Sequence, residues 1–164
     1  MTFVIKGISC AGDILPCKMR SILPDQVRTE VHKFWKAFTS KSKAEFEEMY
    51  LPSATVFSSI VPRSESARLA VARRVRQFFD PKSTIQIDVG GIDVQLVNNI
   101  AIATYPFWFK GTHFKCRDGS PVEHQIPFGR GTQVFRLNDD GHLRILHEHF
   151  SSSETAQPGT TVEI

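Results

Sequence analysis

Residues 131–151 read GTQVFRLNDDGHLRILHEHFS, and this stretch decides the fold. β-Branched and aromatic residues run from His124 to Leu137 and again from His142 to Ser151, with the turn-forming Asp139-Asp140-Gly141 between them. The spacing predicts two long antiparallel strands joined by a tight turn. Successive side chains of a strand face opposite sides. In the last strand Leu146, Glu148 and Phe150 therefore share one face, and His147 and His149 share the other. Upstream, Thr84 to Val97 and Ile100 to Lys115 have the same character and end at Asn98-Asn99 and Asp118-Gly119. Gly90-Gly91 interrupts the first of these runs. Glycine inside a strand marks a bulge or sharp bend, and a bent sheet can wrap around a helix.

The period changes towards the N-terminus. Val27, Val31, Phe34, Trp35 and Phe38 recur at helical spacing after Pro24-Asp25. Ala44, Phe46, Met49 and Tyr50 outline a shorter helix that Pro52 stops. Ala54 to Ser58 reads as a strand. Ser64-Glu65-Ser66 can cap a third helix, running through Leu69, Val71, Ala72, Val75, Phe78 and Phe79 to Asp80-Pro81. Three helices followed by four long strands make an α+β fold with the helices on one face of the sheet. Residues 1–23 read as an N-terminal extension, 24–151 as the domain, and 152–164 as a loose polar tail.

Composition narrows the function classes. The 164 residues hold 20 Lys+Arg against 17 Asp+Glu, a net charge of +3. Only Arg68, Arg73, Arg74 and Arg76 cluster, and one helix face of arginine lacks the basic stripe with interleaved aromatics of a nucleic-acid binder. No apolar run reaches the ~20 residues of a membrane span, and Met1 to Ile8 lack a secretory apolar core. Cys10, Cys17 and Cys116 are an odd number without paired-ligand spacing, which predicts free thiols in the cytoplasm. His113, His124 and His142 show no metal-site spacing, and no cofactor or metal is expected. Thirteen phenylalanines against two tryptophans and two tyrosines suggest a large apolar interior or a pocket lining.

Two segments carry a family resemblance. Phe46-Glu47-Glu48-Met49-Tyr50 followed by Ala54-Thr55-Val56-Phe57 resembles the short helix, tyrosine and first strand of ketosteroid isomerases and SnoaL-type polyketide cyclases. The stretch from Gly131 to Ser151, with its His147-Glu148-His149-Phe150-Ser151 ending, resembles the last hairpin of the calcium/calmodulin-dependent protein kinase II association domain. From about Val27 to Ser151 the chain thus resembles the nuclear transport factor 2-like (NTF2-like) superfamily. The resemblance implies a cone-shaped fold, with three N-terminal helices packed on a strongly bent antiparallel sheet around a hydrophobic pocket. This superfold hosts isomerases, dehydratases, cyclases and oligomerisation modules.

The resemblance also assigns positions. The general-base aspartate of the isomerases falls on Ser58, their oxyanion tyrosine on Phe34, and their protonated aspartic acid on Gln133. Ketosteroid isomerisation is thereby disfavoured, because a serine cannot abstract a carbon-bound proton unaided. Ser58 also has no visible His/Asp arrangement for a nucleophilic triad. Relatives direct the positions of Gln133, Glu148 and Phe150 into the pocket. Glu148 is then the expected proton carrier and Gln133 the oxyanion donor, inside walls drawn from Phe34, Phe38, Phe57, Tyr105, Phe107 and Phe109. Apolar surroundings raise a carboxyl pKa and so suit it to acid/base work. The alternative is a structural carboxylate, neutralised by Arg130, Lys110 or Gln133. The expected ligand is a hydrophobic small molecule, handled by an isomerase, cyclase or dehydratase; the alternative is a non-catalytic ligand-binding or oligomerisation module like the kinase II association domain. His147 and His149 are expected in a homodimer interface on the outer sheet face, as in relatives.

Overall fold

A computed structural model of the chain describes residues 21–58, 63–115 and 117–152. Most of the expected extension and nearly all of the expected tail lie outside the described residues. Helix α1 (Pro24–Thr39) starts with proline, whose missing N–H is no loss in a first turn. It buries Val27, Val31, Phe34, Trp35 and Phe38 along the predicted stripe. Helix α2 (Lys43–Glu48) contributes Phe46 and ends before Tyr50 rather than at Pro52. The Met49 carbonyl accepts the Ile145 N–H at 2.8 Å, so the backbone is already tied to the sheet there. Strand β1 (Tyr50–Ser58) begins four residues earlier than the sequence suggests.

A two-residue strand β2 (Glu65–Ser66) precedes α3 (Ala67–Phe78). The buried stripe of α3 differs from the predicted one. Ala67, Ala70, Val71 and Phe78 face inward, while Leu69 is 62% exposed. Arg74 sits on the inward stripe, one turn after Ala70 and one before Phe78.

The remaining strands are β3 (Thr84–Val89), β4 (Asp93–Val97), β5 (Ile100–Phe114), β6 (Pro121–Leu137) and β7 (Leu143–Ser152). The expected single strand from Thr84 to Val97 is two. It breaks at Gly90-Gly91-Ile92, where the Gly90 N–H reaches the Pro106 carbonyl at 2.9 Å, and both halves pair with β5. The curved sheet runs β2-β1-β7-β6-β5-β3, with β4 also on β5. All pairings are antiparallel except β1 with β7, which is parallel. The three turns fall where expected, at Asn98, Gly119 and Gly141, each with positive φ.

Strand β7 departs from simple alternation. Ile145 pairs with Phe135 and His147 with Val134, so the strand is irregular around Leu146. Ile145 rather than Leu146 takes the fully buried place, whereas Glu148 and Phe150 face inward as predicted. Helix α1 packs against β3, β4 and β5, and α3 against β1 and β5, leaving the concave face of the sheet between them. No described helix is long and apolar enough to cross a membrane.

Candidate ligand pocket and its buried ion pair

Helix α3 and strands β1, β6 and β7 bring one polar cluster into an aromatic interior. Glu148 and Gln133, cross-strand partners on β7 and β6, are both 0% exposed. Arg74 Nη2 lies 2.5 Å from Glu148 Oε1, an ion pair whose angle departs from hydrogen-bond geometry. The Arg74 side chain is 14% exposed. Tyr50 donates its hydroxyl to Glu148 Oε2 at 2.8 Å and accepts Arg74 Nη1–H at 3.0 Å. Behind them Trp35 Nε1–H donates to the Tyr105 hydroxyl at 3.2 Å, and Tyr105 donates to Gln133 Oε1 at 3.0 Å. Gln133 Nε2 reaches Glu148 Oε2 at 3.4 Å. Every donor in the chain is directed towards one carboxylate.

The electrostatics follow from this packing. Burial works against the charge on Arg74, but Glu148 and then Tyr50 more than offset it and hold the guanidinium above its ordinary pKa. Burial, followed by the Glu148 charge, pushes both tyrosine hydroxyls well above their usual value. The expected apolar setting for Glu148 is therefore corrected. Its neighbour is a guanidinium from α3, not Arg130 or Lys110, both of which are exposed.

Beside the cluster lies a cavity of about 100 Å³ that opens to solvent. Its walls are mainly aromatic. Of the residues expected to line it, Phe34, Phe38, Ser58, Phe107, Phe109 and Phe150 do so. Tyr105 is buried in the polar chain and does not line it, and neither do Glu148 and Gln133. Phe57 is corrected outright. Alternation in β1 turns Val56 and Ser58 inward, so Phe57 stands on the outer face, 38% exposed, with its ring 5.2 Å from that of His149. His147 shares that outer face and meets Thr55 Oγ1 at 2.8 Å.

Trp35, Phe46, Phe78, Ile126, Arg73, Arg74, Gln77 and Ser151 complete the lining. Trp35 and Phe150 lie 5.2 Å apart, and the Arg74 guanidinium sits 5.4 Å over the Phe150 ring. Arg74, which the sequence groups with Arg68, Arg73 and Arg76 on one helix face, is the cavity-lining residue not expected there. The signal was present, since Ala67, Ala70, Val71, Arg74 and Phe78 keep helical spacing. Among the described residues no cluster of three His, Cys, Asp or Glu could hold a metal ion.

Comparison with known proteins agrees with this architecture. No curated protein matches the chain significantly. Solved structures do. An NTF2-like protein with a cystatin-like fold from Novosphingobium aromaticivorans superposes with a TM-score of 0.60 at 12% identity, over 82% of this chain and 84% of that one. A ketosteroid isomerase-like protein from Erwinia carotovora atroseptica gives 0.59 at 11%, over 79% and 95%. A Xanthomonas campestris protein assigned as a calcium/calmodulin-dependent protein kinase II association domain gives 0.60 at 16%, over 82% and 94%. At these identities the likeness is one of fold. The model of the SnoaL-like domain matches residues 27–154, and the chain belongs to that family.

Proposed function

We propose that this chain binds a small hydrophobic molecule in the aromatic cavity between α1, α3 and the inner sheet face, and that Glu148 serves there as the anchor of Arg74. The observation that carries this reading is the cavity itself. It is concave and largely apolar, with a few polar groups in its lining, the general form of a small-molecule site. Glu148 stands behind that wall, held by Arg74, Tyr50 and Gln133, and so positions a cation at the cavity rather than meeting a ligand directly. Proton transfer by Glu148, the role expected from the sequence, requires Arg74 to move aside.

The cavity-filling variant Ile126→Phe tests the reading. Ile126 lines the cavity and is half-buried, so the larger ring occupies ligand volume with little loss of fold. Aromatic probes titrated against Trp35 fluorescence bind the parent chain and bind Ile126→Phe at least tenfold more weakly, a loss of about 1.4 kcal/mol. Equal affinity for both proteins contradicts it.

We further propose that a second copy covers the outer sheet face. That face carries Phe57 against His149, and Val134 in register between Ile102 and His147. The Xanthomonas protein assigned as an association domain supports this reading. Light scattering is expected to give a dimer for the parent chain and a monomer for Val134→Glu. A monomeric parent contradicts it.

A further inference from the structure

The cavity holds one polar atom that the fold leaves unanswered. Ser58 is 7% exposed and lines the cavity, and its Oγ has no hydrogen-bond partner among the described residues. A buried hydroxyl in that state is destabilising, and a native fold satisfies nearly all of its buried polar groups.

The cations nearby are already spoken for. Arg73 Nη1 donates to Glu65 Oε2 at 2.9 Å, and its Nη2 pairs with Glu65 Oε1. Arg74 is paired with Glu148. Both guanidiniums that line the cavity thus have their own carboxylate. A carboxylate ligand entering would lose its hydration without meeting net positive charge. The lining also offers hydrogen-bond donors, the Ser58 hydroxyl and the two guanidiniums, which an accepting group on a ligand can meet.

From these three observations, and resting on the pocket reading above, we propose that the ligand is uncharged, has an apolar body near the size of one aromatic ring, and carries a carbonyl oxygen that accepts the Ser58 Oγ–H. The cavity volume of about 100 Å³ lies below the roughly 150 Å³ that encloses benzene, so one ring is the upper limit of the enclosed body and the remainder of the ligand extends through the opening to solvent. Ser58 is then the residue that selects a ketone or aldehyde over both a hydrocarbon and an acid.

The test uses the full chain, its Ser58→Ala variant and three probes followed by fluorine NMR: fluorobenzene, para-fluoroacetophenone and para-fluorobenzoate. The ketone is expected to bind the parent chain roughly three- to tenfold more tightly than fluorobenzene, the span of one neutral hydrogen bond. Para-fluorobenzoate binds more weakly than the ketone. In Ser58→Ala the ketone's advantage over fluorobenzene disappears, while the unliganded variant melts at the same temperature as the parent or higher, because an unpaired hydroxyl has been removed. The inference is overturned, with the pocket reading intact, when ketone and fluorobenzene bind alike, when the benzoate binds best, or when Ser58→Ala leaves the ketone's advantage unchanged. Failure of all three probes to bind the parent chain sinks the pocket reading and the inference together.

Discussion

Glu148 is held by side chains from three elements, Arg74 of α3, Tyr50 of β1 and Gln133 of β6, so its removal strands a guanidinium that has little access to water. Breaking a buried pair from one side costs about 3–5 kcal/mol, whereas replacing both partners with apolar residues costs far less. Urea unfolding of Glu148→Ala is therefore expected to show a loss of about that size, and Arg74→Met/Glu148→Leu to recover part of it. A loss under about 1 kcal/mol for Glu148→Ala would place the pair in the class of exposed salt bridges and remove the anchor role. At this scale the sequence was half legible. Alternation put Glu148 and Phe150 on one face and the resemblance turned them, with Gln133 and Ser58, inward, as they lie, but the resemblance also put Phe57 in the wall against the alternation of its own strand. Arg74 was missed because arginine on a helix is ordinarily solvated, and four arginines within nine residues masked the one at an apolar spacing. Tyr50 was read as the end of a helix, which hid its place on the carboxylate.

The shape of the cavity is set by pairs of elements rather than by single side chains. Gly129 and Gly131 of β6 stand opposite Phe107 and Tyr105 of β5, and the rings lie over the bare glycine backbone. A Cβ on Gly131 would come within 2.7 Å of the Tyr105 ring and 2.9 Å of Phe150, both closer than packed atoms approach. Gly131→Ala is accordingly expected to lower stability by about 1–3 kcal/mol through overpacking, and to lower probe affinity as Phe150 shifts into the cavity. An unchanged melting temperature would show that the rings have room to spare. Helix existence, the turns and the bend at Gly90-Gly91 could be read from period and turn chemistry. The parallel pairing of β1 with β7, and the irregularity at Leu146, could not, because both depend on partners distant in sequence.

Over the described residues, the SnoaL-like architecture places α1 and α3 across a curved sheet and leaves an aromatic cavity between them, with Arg74 in its wall and Glu148 paired to it from behind. The order of helices and long strands, together with the two resembling segments, was enough to reach this fold. The chemistry of the cavity was not, since it depends on which charges neutralise each other across elements. Isoleucine methyl groups report on the central claim directly, because Ile126 lines the cavity while Ile102 lies on the outer face of the sheet. The deciding measurement is a titration of chain labelled at isoleucine methyls with para-fluoroacetophenone, followed by NMR. A saturable shift at Ile126 with Ile102 unmoved is the predicted result; a shift confined to Ile102, or no saturable shift at Ile126, would contradict the account.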